Sequence, residues 1–511
     1  MLNNKTKVVL LACPWIYHKY AEFQSQQLGL GYVGSYIQEH KTDIDLLYID
    51  PMLDGGCYIK EKIFISDREM YRVGITDDSI IQKIGTEPDY IFINAPFTDS
   101  RFVLYPLCDN LKKTFQNSII VIGGVLATSM SLDILNNCSA DIVVRGEGEL
   151  AALDILKGIY LDNIDGVIYK KGEDIFGDIL KQSRSISDLD CLPSISKCNF
   201  RNIKQYIDWS PRGNKSDKTF SYITSRGCPF SCEFCSVPNN GQKCRYFSID
   251  RVINDIQYMI DNYGINEIEI EDDNFTLDKD HSITILKYII ELRKTYPIKI
   301  SFPNGLMINK LDEEQIIALK EAGTEILYLP VESGDVKNLM AMNKPFALTH
   351  LDKVIEVANL CKKYDIDTGA FIILGYPGGR IFNRRYKKII KNRYSNSIIS
   401  EEDVLYIKGE DDESFEKTLL FVNKLVDSGV KFISALVATP YPGTKLFDIC
   451  NKFSWLRYRK DNMITTVSYS DFKEEFINIT TPWSPPPLVY KRWKKISGLF
   501  DTKYNVVKEI K

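Results

Sequence analysis

The sequence predicts an α/β fold in two successive parts: a doubly wound parallel sheet, then a partial (β/α)6 TIM-like barrel, with a small C-terminal extension. Five continuously apolar runs alternate with amphipathic stretches over roughly the first 150 residues, the pattern of strands buried on both faces of a parallel sheet. Six more strand-like runs, spaced by helical stretches, follow between residues 219 and 440. In both architectures ligands sit at the carboxyl ends of the strands.

The first part covers residues 1–151. Its strands are KVVLLAC (7–13), IDLLYID (44–50), YIFINAPF (90–97), SIIVIGG (118–124) and DIVVRGE (141–147). Helical patterns lie between them at LGLGYVGSYIQEH (28–40) and FVLYPLCDNLKKTF (102–115). Residues 152–215 read as a connector, with a small hairpin at GVIYKKGEDIFG (166–177) and a Pro/Ser-containing linker at DLDCLPSISKCNF (188–200).

The barrel occupies 216–445. Its strands are TFSYITS (219–225), NEIEIED (266–272), KISF (299–302), EILYLPVE (325–332), DTGAFIILG (367–375) and KFISALVATP (431–440). Helices are expected at 248–264, 278–296, 312–323, 348–365 and 413–429. An insert, 379–409, separates the fifth strand from its helix, longer than connections inside a compact unit usually run. It carries Arg380, Arg384, Arg385, Lys387, Lys388, Lys391 and Arg393. It reads as a solvated surface helix, with a lid or a docking surface for an acidic partner as the alternative. The extension, 446–511, is aromatic-rich and ends in a basic helical stretch expected to pack on the barrel. Its Trp483, Pro485–Pro487 and Trp493 either line a substrate site or cover the barrel.

The chain has 511 residues, 44% apolar and 26% charged, as in an ordinary globular protein. Lys and Arg total 64 against 68 Asp and Glu, a net charge of −4, which argues against function by wholesale attraction to nucleic acid or anionic membrane. No apolar run reaches the ~18 residues of a membrane span. The start, MLNNKTKVVLLAC, has too short an apolar core for a signal peptide and continues as a strand. The expectation is a cytoplasmic enzyme with neither nucleic acid nor membrane as partner.

Twelve cysteines without an export signal are not counted as disulfides. Cys13, Cys57, Cys108, Cys138, Cys191, Cys198, Cys361 and Cys450 are scattered. Cys228, Cys232 and Cys235 lie together in SRGCPFSCEFCS (225–236), just after the first barrel strand, with C-x3-C-x2-C spacing. A structural zinc site wants four ligands in paired spacing. Three thiolates on one loop suit three irons of a [4Fe–4S] cluster and leave the fourth iron open. Gly227 and Pro229 fit a tight bend, and Phe234 supplies an apolar wall. Cys244 is outside the triplet and reads as structural, because a fourth thiolate would block the open iron.

C-x3-C-x-F-C after the first strand of a six-unit barrel resembles the radical S-adenosylmethionine (SAM) superfamily. The resemblance implies a [4Fe–4S] cluster held by Cys228, Cys232 and Cys235, and SAM bound beside it. EDDNFT (271–276) resembles the acidic segment that contacts the SAM amino group, through Asp272 and Asp273. VESG (331–334) and LGYPG (374–378) resemble the ribose- and methionine-contacting segments, which makes Glu332, Ser333, Gly375 and Pro377 candidate contacts. PYPGT (440–444) after the sixth strand is also typical. Taken singly, each is equally a strand-end turn; their joint order around one barrel carries the resemblance. It further implies one-electron cleavage of SAM and hydrogen abstraction from an unactivated carbon, with the radical kept from water.

The first part resembles the cobalamin-binding domain fused to many radical SAM enzymes: strand one ending in Cys13-Pro14, then LGLGYVGSYIQEH, EPDYIFINAPFT (87–98), IVIGGVLAT (120–128) and DIVVRGEGE (141–149). By this resemblance the corrin lies on the strand carboxyl ends. Gly123 and Gly124 allow close approach, and Thr98, Thr128, Gly146 and Glu147 are candidate contacts. The D-x-H-x-x-G motif that supplies a lower cobalt ligand is absent, and His18 lacks its Asp and Gly. The two resemblances leave out only the basic insert and the tail. Together they imply a cobalamin-dependent methyltransferase acting on an unactivated carbon of a small-molecule or peptide substrate, reduced by a flavodoxin- or ferredoxin-type donor. A non-methylating cyclisation, rearrangement, oxidation or epimerisation is the alternative chemistry, and a non-catalytic cluster- or cobalamin-holding sensor the alternative class. A methylthiotransferase is disfavoured, since no three N-terminal cysteines group in sequence.

Overall fold

The computed structural model describes residues 5–17, 26–54, 61–65, 68–195, 203–207, 218–237, 243–401, 404–459, 462–465 and 472–499. His18, Cys57 and Cys198 lie outside them. The chain divides into two compact units, residues 1–217 with 254–263, and 218–253 with 264–511.

In the first unit the strands and helices run β1 (Thr6–Ala12), β2 (Trp15–Tyr17), α1 (Leu28–His40), β3 (Ile44–Ile49), β4 (Glu61–Ile65), β5 (Arg68–Val73) and α2 (Asp77–Ile84). They continue with β6 (Tyr90–Asn94), α3 (Arg101–Thr114), β7 (Ile119–Gly123), α4 (Val125–Asn137), β8 (Ile142–Val144), α5 (Glu149–Leu156), β9 (Val167–Lys171), β10 (Asp174–Phe176) and α6 (Ile203–Ile207). The main sheet has the order β10-β9-β8-β7-β6-β1-β3. Its five apolar strands are parallel, as the buried runs require. Val8, Leu10, Phe92, Val121 and Ile142 form one apolar face, covered by Leu30 and Ile37 of α1 and Ala151, Ala152 and Ile155 of α5.

Two features differ from the sequence reading. The hairpin at 166–177 forms, but it is no free-standing connector: β9 pairs antiparallel with β8 and extends the sheet. A small antiparallel sheet, β2-β5-β4, was not anticipated. Its strands are short and mixed in polarity (EKIFI, REMYRV), so no period marks them.

The second unit begins with β11 (Thr219–Tyr222), β12 (Ser225–Arg226), β13 (Arg245–Tyr246), α7 (Ile249–Tyr263), β14 (Glu267–Ile270), α8 (Lys279–Leu292), β15 (Lys299–Ser301) and α9 (Glu313–Glu321). Next come β16 (Ile326–Glu332), α10 (Val336–Ala341), α11 (His350–Lys363), β17 (Asp367–Leu374), β18 (Gly378–Ile381), α12 (Arg384–Arg393), β19 (Ile398–Glu401) and β20 (Leu405–Lys408). The series ends with α13 (Asp412–Asp427), β21 (Phe432–Val437), α14 (Lys445–Lys452) and α15 (Pro486–Ser497). All six predicted barrel strands are present, in two three-stranded parallel sheets, β11-β14-β15 and β16-β17-β21. Capping sets the helix starts: Asp312 forms a capping box with Gln315 at α9, and Asp278 and Asp411 cap α8 and α13.

The insert is more than a surface helix. β18, β20 and β19 form an antiparallel sheet with α12 beside it. The tail packs as expected: Trp493 on α15 donates its indole N–H to the Ala435 carbonyl of β21 at 3.0 Å, and Trp483 meets Trp455 edge-on. These tryptophans cover the barrel. No helix among the described residues is long and apolar enough to cross a membrane.

Candidate active site

The cysteine loop leaves β11 and is held by the residues that end β14. Asp272 is buried; its Oδ1 accepts the Thr224 backbone N–H at 2.6 Å, and its Oδ2 accepts the Thr224 and Ser225 hydroxyls, each at 2.6 Å. Burial pushes this carboxyl up to about 6 against those three donors. The Asp273 carboxylate accepts the Gly227 N–H at 3.2 Å through one oxygen. Asn274 donates to Cys228 Sγ at 2.8 Å. Three consecutive side chains of one strand end thus fix the loop at three points. The Asp272 oxygens accept three loop donors, so this carboxyl anchors the loop. The other Asp273 oxygen has no hydrogen bond among the described residues.

The three thiols sit half-buried on this loop. Burial pushes Cys232 up to about 12, offset by the nearby Lys344 ammonium and reinforced by Cys235 and Cys228. Cys228 and Cys235 are raised by burial too. Thiols that sense one another, with an amide N–H and an ammonium beside them, form a donor set suited to an anionic iron–sulfur group. Among the described residues, no three His, Cys, Asp or Glu side chains converge as they would on a single ion. Cys244 is bonded to Tyr246 and Ser225, outside the triplet.

Glu332 ends β16 in the left-handed region, at φ 63°. Its carboxylate accepts from Lys344 Nζ at 2.7 Å, with both side chains nearly buried. Burial pulls the Lys344 ammonium down, but the Glu332 carboxylate and the thiols of Cys232 and Cys235 outweigh it and hold it above its ordinary value. His350 is buried behind this pair. Its Nε2 meets the Pro330 carbonyl at 3.0 Å and its Nδ1 the Asn309 side chain at 2.9 Å, and burial pushes it down to about 3, so the ring is neutral.

Ser333, Gly375 and Pro377 are tied into local hydrogen bonds at the strand ends. The Ser333 hydroxyl accepts the Asp335 N–H at 3.2 Å and the Asn338 amide at 3.3 Å. Gly375 has φ 67°, and a Cβ there would meet Val489 of α15 at 2.8 Å. Its N–H donates to buried Glu410 at 3.1 Å, and Glu410 pairs with Arg492 of the tail. The Pro377 carbonyl accepts the Gly409 N–H at 3.0 Å. These turns hold the strand end together, which is why Gly, Ser and Pro stand there.

Sequence reasoning missed Asn274, Lys344, Glu410, Arg492 and Glu233. Glu233 sits between two cluster cysteines, buried, with Arg380 Nε at 3.2 Å from its Oε1. Only the adjacency of Asn274 to the acidic pair, and of Glu233 to Cys232, hinted at them.

In the first unit the cobalamin candidates gather on the carboxyl edge of β6, β7 and β8. Gly124 opens α4 at φ 97°, and a Cβ there would lie 2.6 Å from Asn94 Oδ1 and 2.7 Å from the Ala95 carbonyl. Gly123 faces open space. Thr128 Oγ1 accepts the Gly146 N–H at 3.0 Å and donates to the Gly124 carbonyl at 3.1 Å, tying α4 to the β8–α5 loop. The Glu147 carbonyl accepts the Ser183 hydroxyl. Thr98 is buried, its carbonyl taking Arg101 Nη1 at 2.7 Å. A recess of about 300 Å³ lies between α1 and the β1 and β3 strands, lined by Leu10, Leu30, Gly31, Gly34, Gln38 and Tyr48. An open glycine edge and a recess beside α1 fit a broad macrocycle with a nucleotide tail.

Residues 222–381 match the radical SAM superfamily, and residues 16–156 match the B12 binding domain. An uncharacterized methyltransferase of Pyrococcus horikoshii is 28% identical over 443 residues, 84% of this chain and 81% of that protein. The cytidylyl-2-hydroxyethylphosphonate methyltransferase of Streptomyces wedmorensis is 26% identical over 68% of this chain and 69% of its own. The structure of the radical S-adenosylmethionine methyltransferase TsrM from Kitasatospora setae, with cobalamin and a [4Fe–4S] cluster bound, shares the fold at TM-score 0.64 and 12% identity, covering 96% of this chain and 85% of that one. The two matched domains imply a [4Fe–4S] cluster, SAM and cobalamin as cofactors. The chain carries a radical SAM superfamily domain at 222–381, preceded by a B12 binding domain at 16–156.

Proposed function

We propose that the protein is a cobalamin-dependent radical SAM methyltransferase that methylates an unactivated carbon of a small-molecule or peptide substrate of natural-product type. One observation carries this: a three-cysteine loop anchored by Asp272, Asp273 and Asn274 shares a chain with a parallel sheet whose carboxyl edge is built of Gly123, Gly124, Thr128 and Gly146. When bound, the cluster supplies the electron that cleaves SAM and cobalamin supplies the methyl group. Cys228, Cys232 and Cys235 would hold the iron, the Asp273 carboxylate would accept the SAM amino group, and Glu332 would contact its ribose. Lys344 offsets the negative charge of the thiolates in a site where burial strengthens every electrostatic contact. The relatives that carry methyltransferase names support the reaction class. A flavodoxin- or ferredoxin-type donor reduces the cluster, in the cytoplasm.

The test is anaerobic purification with iron, sulfide and hydroxocobalamin supplied, followed by metal analysis, a UV–visible spectrum and turnover with methyl-labelled SAM. About four irons per chain, corrinoid bands and label in a product are expected. Four irons without corrinoid overturns the methyl-transfer reading in favour of a rearrangement or oxidation.

A further inference from the structure

The fourth barrel unit gives the cysteine loop a second support. α10 ends at Ala341 in a turn whose N–H groups close back on the helix: Asn343 donates to the Met340 carbonyl at 3.1 Å and Lys344 to the Leu339 carbonyl at 2.9 Å. This closure needs a left-handed residue at its middle, where glycine is usual and asparagine the tolerated substitute, and Asn343 supplies it at φ 51°. Three successive residues of the turn act on the loop. The Met342 carbonyl accepts the Glu233 N–H at 2.9 Å. The Asn343 amide donates to the Ser231 carbonyl at 3.0 Å and to the Ser231 hydroxyl at 2.9 Å. Lys344 Nζ donates to Glu332 at 2.7 Å, and its charge acts on the thiols of Cys228, Cys232 and Cys235. Cys232 is thus gripped through both of its neighbours, Ser231 and Glu233. The turn itself is braced from behind. Met340, Ala341 and Met342 are buried in an apolar cluster, and Gly379 of β18 lies so close that a Cβ there would collide with the Ala341 carbonyl.

We infer that Asn343 is a positioning residue: by clamping Ser231 it fixes Cys232 against the Lys344 ammonium and thereby sets the potential of the cluster. The β14 anchors hold the loop only from Thr224 to Cys228, and Asn343 takes hold further along, at Ser231. The turn is braced and this part of the loop is not, so losing the amide displaces Cys232 and leaves Lys344 in place. Coulomb attraction falls with distance and is strongest where water is excluded, so a thiolate that drifts from a buried ammonium loses charge compensation. A cluster gains negative charge on reduction, and a cation held beside its thiolates therefore favours the reduced form. The inference rests on the cluster reading above.

The test reconstitutes the full-length protein anaerobically with iron and sulfide, without SAM, and measures iron content and the EPR-monitored midpoint of the cluster. Asn343→Gly keeps the left-handed turn and removes the amide. It should hold about four irons per chain and shift the midpoint to more negative values, toward that of Lys344→Met. Adding Asn343→Gly to Lys344→Met should change nothing further, because the ammonium through which it acts is already gone. A wild-type midpoint for Asn343→Gly overturns the inference. Additive shifts in the double variant overturn it too, since Asn343 would then act independently of Lys344. If Asn343→Gly takes up no iron, Ser231→Ala decides, because it removes one of the two acceptors and leaves the turn intact: a midpoint more negative than wild type supports the clamp, and the wild-type value overturns it. Wild-type protein that takes up no iron overturns the cluster reading and this inference together, whereas full iron with unmoved midpoints overturns this inference alone.

Discussion

Glu410 and Arg492 form an ion pair sealed from solvent, Nη1 to Oε1 at 3.1 Å with the side chains 1% and 2% exposed, and it joins the tail helix to the strand end that turns at Gly375. Arg492 also donates to Ser484 and Asp412. A buried pair adds little net stability over a well-packed apolar pair, but breaking one leaves an uncompensated charge. Arg492→Ala should cost about 3–5 kcal/mol in denaturant unfolding. The double variant Glu410→Gln with Arg492→Met should cost clearly less. Equal losses would show that the charge is not what matters.

Asp272 gives the loop anchor a pH signature. Its carboxyl is pushed up from 3.8 to about 6 by burial, so between those values the folded state holds its proton more tightly than the unfolded chain does. Its contribution to stability is complete below about pH 4 and is lost as the pH rises through 6. The shift corresponds to on the order of 3 kcal/mol. Wild-type stability, measured from pH 4 to 7 and referenced to Asp272→Asn, should fall with pH. A flat difference would mean that burial does not raise the Asp272 carboxyl.

Asn274 should act on the cluster's potential and not on its assembly. Its N–H donates to Cys228 Sγ, and hydrogen bonds to cluster sulfurs raise the potential. Asn274→Ala should retain near-normal iron and shift the EPR-monitored midpoint to more negative values. Cys232→Ala, by contrast, should lose iron outright. An unchanged midpoint in the Asn274 variant would remove this role.

Gly123 and Gly124 are neighbours with different duties. Gly124→Ala forces a Cβ into the Asn94 side chain and the Ala95 carbonyl at a left-handed φ, and should cost about 1–3 kcal/mol. Gly123→Val places its side chain in open space, so thermal unfolding should barely move while hydroxocobalamin affinity drops. A Gly123 variant that binds the corrinoid normally would place the cofactor elsewhere.

Much of the fold was legible because buried parallel strands must be continuously apolar, and eleven such runs with helices between them leave few arrangements. The cluster loop was legible because three thiols at fixed spacing are rarely anything but ligands. The sheet of β2, β5 and β4 was not, since short half-exposed strands carry no period. Nor was the difference between Asp272 and Asp273. Adjacent residues of one type are alike in sequence, and only their directions from the strand end give one three loop donors and the other a bond to Gly227.

The sequence by itself determined the two-part α/β architecture, the three-cysteine loop and the two matched domains, because burial periodicity and cysteine spacing are local properties. Only the tertiary structure decided which strand-end residues face inward, that Lys344 stands beside the thiols with Glu332, that Arg492 reaches Glu410 across 82 positions, and that the basic insert is strapped to Glu233. Those are pairings of charge in a low-dielectric interior, where a partner is chosen by proximity after folding and no local pattern announces it.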